Sequence, residues 1–143
     1  TYNEWQKWYG TDGELNADHE TDMYNNFGQT MITDFPEFTS PFWNMSRHED
    51  GVTSKKIDVI LGGMETIGSA ERSTDVEQMR DTFHTITDGA YSKLLFDLFG
   101  KERVEAELEK FLEFDFFPRV GGGIGMTRMI AALDKYNLGS DDE

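Results

Sequence analysis

The apolar residues of this chain recur with two different periods, which predict helices in some segments and strands in others. Strands are predicted where branched residues alternate with polar ones, at 31–35 and 55–63, and also in the segments 64–73 and 116–125. Spacings of three and four residues, typical of amphipathic helices, predict helices at 1–9, 18–27, 76–86, 90–99, 103–114 and 126–136. The chain is therefore predicted to have mixed α and β structure.

The links between the segments predict how they are arranged. Gly62 and Gly63 separate "KKIDVIL" from "METIGSAERS", so these two strands are predicted to pair as an antiparallel hairpin. The predicted fold is α+β, with an antiparallel β-sheet flanked by helices. From the chain length we expect a single domain over 1–143, and we expect the segment 137–143 to fray. The "PFW" segment, Pro41 to Trp43, is expected to anchor a loop on the core.

The chain is strongly acidic, which narrows the choice of partners. Its 28 Asp and Glu residues against 13 Lys and Arg give a net charge of −15. Such a balance repels polyanions unless basic residues gather on one face, and the sequence shows no basic cluster. Nucleic-acid binding by this chain alone is therefore not expected. The carboxylates could hold Mg²⁺ and so allow a nucleotide to bind, or they could simply confer solubility.

Targeting signals are not evident in the sequence. No apolar run reaches the length of a membrane span, and no charged segment followed by an apolar one indicates a signal peptide. The absence of cysteine excludes disulfides and thiolate metal sites, and it suits a reducing cytosol. A cytoplasmic location without membrane contact is therefore expected.

Two carboxylates on the predicted hairpin are candidates for a metal site. Asp58 and Glu65 are seven residues apart, but the turn between them places them on facing strands, where they can converge on one hard cation. They can equally be ordinary exposed residues of an acidic chain. Arg72 lies at an odd offset from Glu65, so the two side chains point to opposite faces of a regular strand. A kink at Gly68 would remove that difference.

Small residues interrupt the second strand of the hairpin. The run Gly68-Ser69-Ala70 lies in mid-strand, where glycine weakens a sheet. Such a run indicates a bulge, a close approach by a ligand, or a packing constraint. Gly68 and Ser69 are therefore candidates for substrate contact, with packing as the alternative.

The segment 119–128, "RVGGGIGMTR", joins a glycine-rich strand to the start of a helix. It matches neither a Walker loop, which ends in Gly-Lys-Ser/Thr, nor the G-x-G-x-x-G turn of a βαβ unit. Without Cβ atoms its backbone could still lie flat beneath a planar group, while Arg128 aims a bidentate fork at a phosphate. Tight packing of strand against helix is the alternative explanation. The glycines concerned are Gly121, Gly122, Gly123 and Gly125.

In order and content, these segments resemble the C-terminal half of the catalytic domain of class II aminoacyl-tRNA synthetases, most closely the aspartate/asparagine branch. The resemblance covers nearly the whole chain. "ITDFPEFTSPFWNM" is similar to the family segment that runs from "ITD-P" to "PFY-M", and His19-Glu20 has its familiar place. "GGGIGMTRM" resembles family motif 3, here at about 119–134.

The resemblance implies a role for each candidate residue. In the family, an Asp and a Glu seven residues apart hold Mg²⁺ and ATP, as Asp58 and Glu65 would. An arginine seven residues beyond the Glu recognises the substrate side chain, as Arg72 would beside the small residues Gly68–Ala70. The motif 3 glycines lie beneath the adenine, and the motif 3 arginine, here Arg128, contacts the γ-phosphate of ATP.

The chain also departs from the family pattern. Thr127 stands where motif 3 usually has Glu or Asp, and in this respect the segment is most similar to ammonia-dependent asparagine synthetases. The hairpin and the "PFW" segment look more like aspartyl- and asparaginyl-tRNA synthetases. This combination also resembles the archaeal asparagine synthetase related to asparaginyl-tRNA synthetase. We find no counterpart of motif 1, which builds the dimer interface, or of motif 2, whose arginine binds the α-phosphate, and no anticodon-binding domain.

The implied activity is ATP-dependent activation of aspartate or asparagine through an acyl-adenylate, which then passes to ammonia or to tRNA. A complete active site is not expected from these residues alone, so a second copy or a complementary N-terminal half is the expected partner. The charge of −15 favours a small acceptor over tRNA. A non-catalytic paralog that serves as a nucleotide-binding or interaction module is the alternative. An unrelated fold with accidental patterns would lack the family's antiparallel sheet of six or more strands.

Overall fold

The structure, a computed structural model, describes residues 1–136, so the segment 137–143 that was expected to fray lies outside it. One sheet is formed from four antiparallel strands in the order β1-β2-β3-β4. The predicted α+β fold with an antiparallel sheet is confirmed. The strands are β1 (Thr30–Pro36), β2 (Thr53–Leu61), β3 (Met64–Arg72) and β4 (Arg119–Ile124).

Helices flank this sheet at the predicted positions, with shifts of one or two residues at their ends. No helix within residues 1–136 combines the length and apolar character needed to cross a bilayer. The helices are α1 (Tyr2–Tyr9), α2 (Ala17–Phe27), α3 (Val76–Thr85), α4 (Ala90–Phe99), α5 (Lys101–Leu112) and α6 (Met126–Lys135).

The hairpin turn and the last strand follow from local chemistry. Gly62 and Gly63 both have positive φ, at 61° and 92°, which glycine adopts without the strain of a Cβ. The hairpin of β2 and β3 is therefore confirmed with its turn where predicted. Strand β4 is shorter than the predicted 116–125, and it begins directly after Pro118, which has no N–H to donate to a neighbouring strand.

Two hydrophobic cores hold the helices in place. The first lies under α1 and α2, where Tyr2 and Met23 pack on Ile32, Phe35 and Ile60 of the first two strands. We call the side of the sheet that carries Ile60 the site face, because Asp58 lies two residues away on the same strand face.

The second core joins the loop after β1 to α3, α4 and α5. Trp43 is buried at its centre, which confirms the "PFW" segment as a loop anchor. Its ring packs edge-on against Phe83 and Phe111. The other buried residues of this core are Met79, Ile86, Val104, Leu108 and Leu112.

Candidate functional site

One extra residue in β3 decides which side chains share the site face. Val59 lies opposite Ile67 and Ile60 lies opposite Glu65, so Thr66 has no partner residue across the hairpin. A bulge of this kind shifts the strand alternation by one residue. Glu65 therefore shares a face with Arg72 despite their odd spacing. The shift occurs at Thr66 and not at Gly68, where the sequence suggested a kink.

The bulge is held by the start of α6. The backbone N–H of Gly125 donates to the carbonyl oxygen of Thr66 at 2.8 Å. The hydroxyl of Thr66 donates to the carbonyl oxygen of Met64 at 3.1 Å, which satisfies this buried side chain locally. The glycine segment and the hairpin are therefore fixed to each other at the residue that brings Glu65 and Arg72 to the same face.

Asp58 and Glu65 converge over Gly68. Asp58 lies directly opposite Gly68, and a Cβ built on that glycine would be 3.4 Å from Asp58 Oδ1 and 2.9 Å from Glu65 Oε1. The side chain of Asp58 is only 8% exposed, and its Oδ1 is buried without a hydrogen-bond donor among the described residues. A buried carboxylate oxygen of this kind normally has a partner. The space above Gly68 is thus a place where two carboxylates can share a cation.

Lys56 supplies a positive charge to the other oxygen of Asp58. Its Nζ lies 2.5 Å from Asp58 Oδ2, and it also lies 3.8 Å from the centre of the Phe35 ring. Burial raises the pKa of Asp58 to about 6, and the nearby charges of Glu65 and Glu20 add to the rise, while Lys56 opposes it. Ionisation of Asp58 at neutral pH therefore costs more free energy in the folded protein than in water.

We expect Lys56→Met to destabilise the protein in a pH-dependent way. Removing the ammonium leaves a buried carboxylate unpaired, and because Lys56 is itself 23% exposed we expect a loss of about 2 kcal/mol at pH 8. The folded-state pKa of Asp58 is already above its unfolded value and would rise further. The loss should therefore grow as pH rises through 6 and shrink below pH 5, where Asp58 is protonated. Urea denaturation at both pH values measures this.

The matched control is Lys93→Met, which removes an exposed lysine from an ion pair with Asp97 on α4. We expect this variant to change the unfolding free energy by less than about 0.5 kcal/mol at either pH. A loss in Lys56→Met that is equal at pH 5 and pH 8 would contradict a charge on Asp58 as its cause.

The carboxylate of Glu20 and the guanidinium of Arg128 hold Glu65 from two sides. Glu20 Oε2 accepts the backbone N–H of Glu65 at 2.8 Å, which ties α2 to the start of β3. Arg128 Nη1 donates to the carbonyl oxygen of Glu65 at 2.6 Å and lies 3.9 Å from its Oε2. About half of the Arg128 side chain, 53%, is exposed, so the guanidinium has N–H groups free to contact a ligand.

The glycines of β4 are required for different structural reasons. Gly121 lies opposite Ala70 and Gly123 lies opposite Gly68, so both belong to the site face. A Cβ on Gly123 would meet nothing within 4 Å, and the backbone there is open to the space above it. The open part of the site face beside Asp58 is therefore the backbone at Gly123, because Ala70 is buried and the Arg72 side chain lies over Gly121.

Gly122 serves strand pairing instead. It lies opposite Ser69, and a Cβ there would be 2.6 Å from the carbonyl oxygen of Gly68 and 2.7 Å from Ser69 Cβ. Ser69 itself lies opposite Ile57, so its side chain points away from the site face. The open backbone expected for ligand contact is thus present at Gly123, whereas tight packing explains Gly122.

The side chain of Arg72, the last residue of β3, reaches over β4 at one end of the site face. Its Nη1 donates to Asn44 Oδ1 at 3.0 Å, and its Nη2 donates to the carbonyl oxygen of Gly121 at 3.2 Å. A Cβ on Gly121 would be only 2.9 Å from Arg72 Nε, so the absence of a side chain there lets the guanidinium lie against the strand.

Sequence reasoning missed Lys56 and Asn44. Lys56 could have been found, because a residue two positions before Asp58 on a strand shares its face. Asn44 gave no signal, since it lies 28 residues from Arg72 and reaches it only through the fold.

The sequence model for the family described as "tRNA synthetases class II (D, K and N)" matches residues 1–137. The chain belongs to this family. The resemblance noted from the motifs is therefore confirmed for the class II synthetase family. No match is found among curated proteins.

Solved structures with the same fold include class II synthetases from two organisms. Asparaginyl-tRNA synthetase from Pyrococcus horikoshii has a TM-score of 0.68 at 19% identity and covers 94% of this chain. Aspartyl-tRNA synthetase from Entamoeba histolytica has a TM-score of 0.66 at 17% identity and covers 92% of this chain. The matched regions are 31% and 27% of those two proteins, so this class II synthetase chain spans less than a third of their length.

Proposed function

We propose that this chain is the ATP-binding part of a ligase that activates aspartate or asparagine, forming an acyl-adenylate and pyrophosphate. The observation that carries the proposal is the convergence of Asp58 and Glu65 over Gly68, beside the open backbone of Gly123. Membership of the class II synthetase family supports a nucleotide at such a place. A Pyrococcus horikoshii asparaginyl-tRNA synthetase of the same fold was solved with asparaginyl-adenylate.

The residues present fit a magnesium ion. Mg²⁺ prefers oxygen ligands and is usually held by one or two carboxylates together with substrate phosphates and water. Asp58 Oδ1 and Glu65 Oε1 would be the protein ligands. Among residues 1–136 no group of three or more His, Asp or Glu side chains is placed to hold a metal, so phosphate oxygens would complete the coordination. The bound ion would neutralise charge on those phosphates.

The other residues of the site face would act mainly by positioning. Gly123 would lie beneath the adenine, with Gly125 leading into α6, whereas the expected adenine contact of Gly121 is not proposed because the Arg72 guanidinium covers that residue. Arg128 would bind the γ-phosphate, and Arg72 would bind the side chain of the amino acid. Holding the carboxylate of the amino acid in line with the α-phosphate is the main contribution expected in such a reaction.

The rest of the site would come from another segment or another copy. The chain spans 31% of the Pyrococcus horikoshii enzyme, and no group of three or more His, Asp or Glu side chains among the described residues is placed to hold a metal. A partner that supplies the missing strands is therefore part of the proposal.

A non-catalytic role is the second candidate, and Lys56 is the observation that favours it. Its ammonium already neutralises one oxygen of Asp58, and it could take the place of a cation in a protein that no longer needs one. Such a protein would keep the fold as an interaction module.

Calorimetric titration of the full-length protein separates these candidates. We expect ATP to bind in the presence of Mg²⁺, and we expect Arg128→Ala to weaken ATP binding at least tenfold while AMP binding changes less than twofold, because AMP has no γ-phosphate. Arg103→Ala is the matched control, since Arg103 is exposed and its ion pair among residues 1–136 is with Glu107 on the same helix, α5. Absence of ATP binding, or an equal loss of ATP and AMP in Arg128→Ala, would contradict the proposal. Amino-acid-dependent exchange of pyrophosphate into ATP then distinguishes the ligase from the non-catalytic module.

A further inference from the structure

Lys56 lies beside the two carboxylates proposed as metal ligands, but it is not itself a ligand. It comes two residues before Asp58 on β2 and lies directly opposite Ala70, so its side chain belongs to the site face. Its Nζ is 2.5 Å from Asp58 Oδ2. The two oxygens of Asp58 are therefore in different situations, because Oδ2 has a cation beside it while Oδ1 is buried without a donor among the described residues.

The ammonium group of Lys56 is held in its position from two sides. One contact is the ion pair with Asp58, and the other is the ring of Phe35, whose centre lies 3.8 Å from Nζ. An aromatic face attracts a cation at this distance. Phe35 is itself buried in the core under α1 and α2, so its ring is a fixed support. The positive charge of Lys56 therefore stays beside Asp58 when no ligand is bound.

The charges around Asp58 nearly cancel each other. Glu65 converges with Asp58 over Gly68, and Glu20 is close by, because its Oε2 accepts the backbone N–H of Glu65 at 2.8 Å. Lys56 and Arg128 supply the positive charges, since Arg128 Nη1 lies 3.9 Å from Glu65 Oε2. Three carboxylates against two cationic groups leave this group with a net charge of −1. Without Lys56 it would be −2.

A free Mg²⁺ ion would find few ligands at this place. It would have Asp58 Oδ1 and Glu65 Oε1, and no group of three or more His, Asp or Glu side chains within residues 1–136 is placed to hold a metal. Mg²⁺ gives up its water reluctantly and is usually held together with substrate phosphates. An ammonium on the other oxygen of the same carboxylate also repels a divalent cation. Free metal should therefore bind weakly here.

We infer that Lys56 is a counter-ion that keeps a free divalent cation away from Asp58 and Glu65, so that the metal enters only together with the phosphates of the nucleotide. The inference rests on the proposed function, in which these two carboxylates hold Mg²⁺ with ATP. The phosphates bring the negative charge that the site lacks, and they attract the ammonium while the metal repels it. Lys56 is thus a positioning residue that acts through Asp58.

The test measures the binding of Mn²⁺ alone to the full-length protein at pH 8, because Mn²⁺ prefers the same oxygen ligands as Mg²⁺. The electron paramagnetic resonance signal of free Mn²⁺ reports the amount bound. We expect the wild type to bind with a Kd above about 1 mM and Lys56→Gln to bind at least about tenfold more tightly, since the amide can donate to Asp58 Oδ2 but carries no charge. Lys56→Arg keeps the charge and should bind as weakly as the wild type.

Two controls locate the gained site. Asp58→Asn added to Lys56→Gln should abolish the tighter binding, because it removes a carboxylate ligand of the metal. Lys93→Gln removes the same charge from an exposed ion pair with Asp97 on α4, and it should leave Mn²⁺ binding as weak as in the wild type. An equal gain in Lys93→Gln and Lys56→Gln would indicate an effect of net charge alone and would overturn the inference.

A purely structural role for Lys56 predicts no gain of metal binding. Mn²⁺ binding in Lys56→Gln that is as weak as in the wild type, or weaker, would therefore overturn the inference. Thermal unfolding is a second measurement, in which about 5 mM Mn²⁺ should raise the Tm of Lys56→Gln by several degrees and that of the wild type by less than about 1 °C. Lys56→Met, a second neutral variant, should show the same gain if Lys56→Gln does not fold. A wild-type Kd for Mn²⁺ below about 0.1 mM without nucleotide would also overturn the inference.

Failure of the proposed function gives a separate signature. ATP with Mg²⁺ should bind to the wild type and to Lys56→Gln with affinities within about threefold, because the ammonium repels the metal and attracts the phosphates. If neither protein binds ATP, the ligase proposal fails, while tighter Mn²⁺ binding in Lys56→Gln still supports Lys56 as the counter-ion. If both bind ATP and Lys56→Gln gains no Mn²⁺ binding, the counter-ion inference fails and the proposed function stands.

Discussion

Alanine at Gly122 should destabilise the protein by about 3 kcal/mol or more, whereas alanine at Gly123, the next residue, should cost less than about 1 kcal/mol. The added methyl group at Gly122 would lie 2.6 Å from the carbonyl oxygen of Gly68 and 2.7 Å from Ser69 Cβ. These atoms belong to the paired strand, so β3 and β4 would have to separate. At Gly123 the methyl group would meet nothing within 4 Å.

The two variants should also differ in ligand binding. Because Gly123 lies on the open part of the site face, its methyl group would occupy the space in which we place the adenine, and we expect ATP affinity to fall at least tenfold in a folded protein. Urea denaturation measures the difference in unfolding free energy between the two variants, and ATP calorimetry measures the difference in affinity. A Gly122→Ala protein as stable as Gly123→Ala would show that the strands can shift apart freely and that the pairing is not as tight as described.

Replacing Asp58 by Asn should abolish Mg²⁺-dependent ATP binding and at the same time stabilise the protein at pH 8. Its pKa of about 6, against the ordinary 3.8, corresponds to a cost of about 3 kcal/mol for ionising this buried group. This cost already includes the attraction of Lys56, which lowers the pKa of Asp58. We therefore expect a net rise of about 3 kcal/mol in unfolding free energy at pH 8.

The stability gained in Asp58→Asn should depend on pH. The folded wild type holds the Asp58 proton more tightly than the unfolded chain, so its stability falls as pH rises from about 4 through 6. The neutral Asn has no such dependence, and the stability difference should therefore vanish near pH 4. Denaturation at pH 4, 6 and 8 measures it. A variant less stable than wild type at pH 8 would show that the pair with Lys56 outweighs the cost of burial.

The sequence was sufficient to predict the fold because its signals were local. Gly62 and Gly63 marked the hairpin turn, and the spacing of apolar residues marked the helices to within about two residues. The motif order was sufficient to indicate the class II synthetase family, since each motif depends on residues that are close in sequence. The orientation of Asp58 and Glu65 toward each other also followed, from the turn alone.

The sequence could not predict contacts that depend on the bulge or on distant segments. A bulge at Thr66 leaves no mark in the residue pattern, and the hydrogen bond that Thr66 accepts there comes from Gly125, which lies 59 residues further along the chain. Asn44 reaches Arg72 over a separation of 28 residues. The position of Arg119 opposite Arg72 could not be predicted either, since three α-helices separate β3 from β4 along the chain.

The bulge at Thr66 also limits how the length of this hairpin can change. Removing one residue between Glu65 and Arg72 while the bulge is kept would turn Arg72 to the opposite side of the sheet, away from Asn44. Removing Thr66 itself would restore strict alternation and leave Glu65 and Arg72 an even number of residues apart, on the same side. Removing two would keep the side but shift Arg72 along the strand by about 7 Å, two residues out of step with β4. The interval of seven residues and the bulge within it are therefore linked, so that the interval can change by a single residue only if the bulge is lost or gained as well.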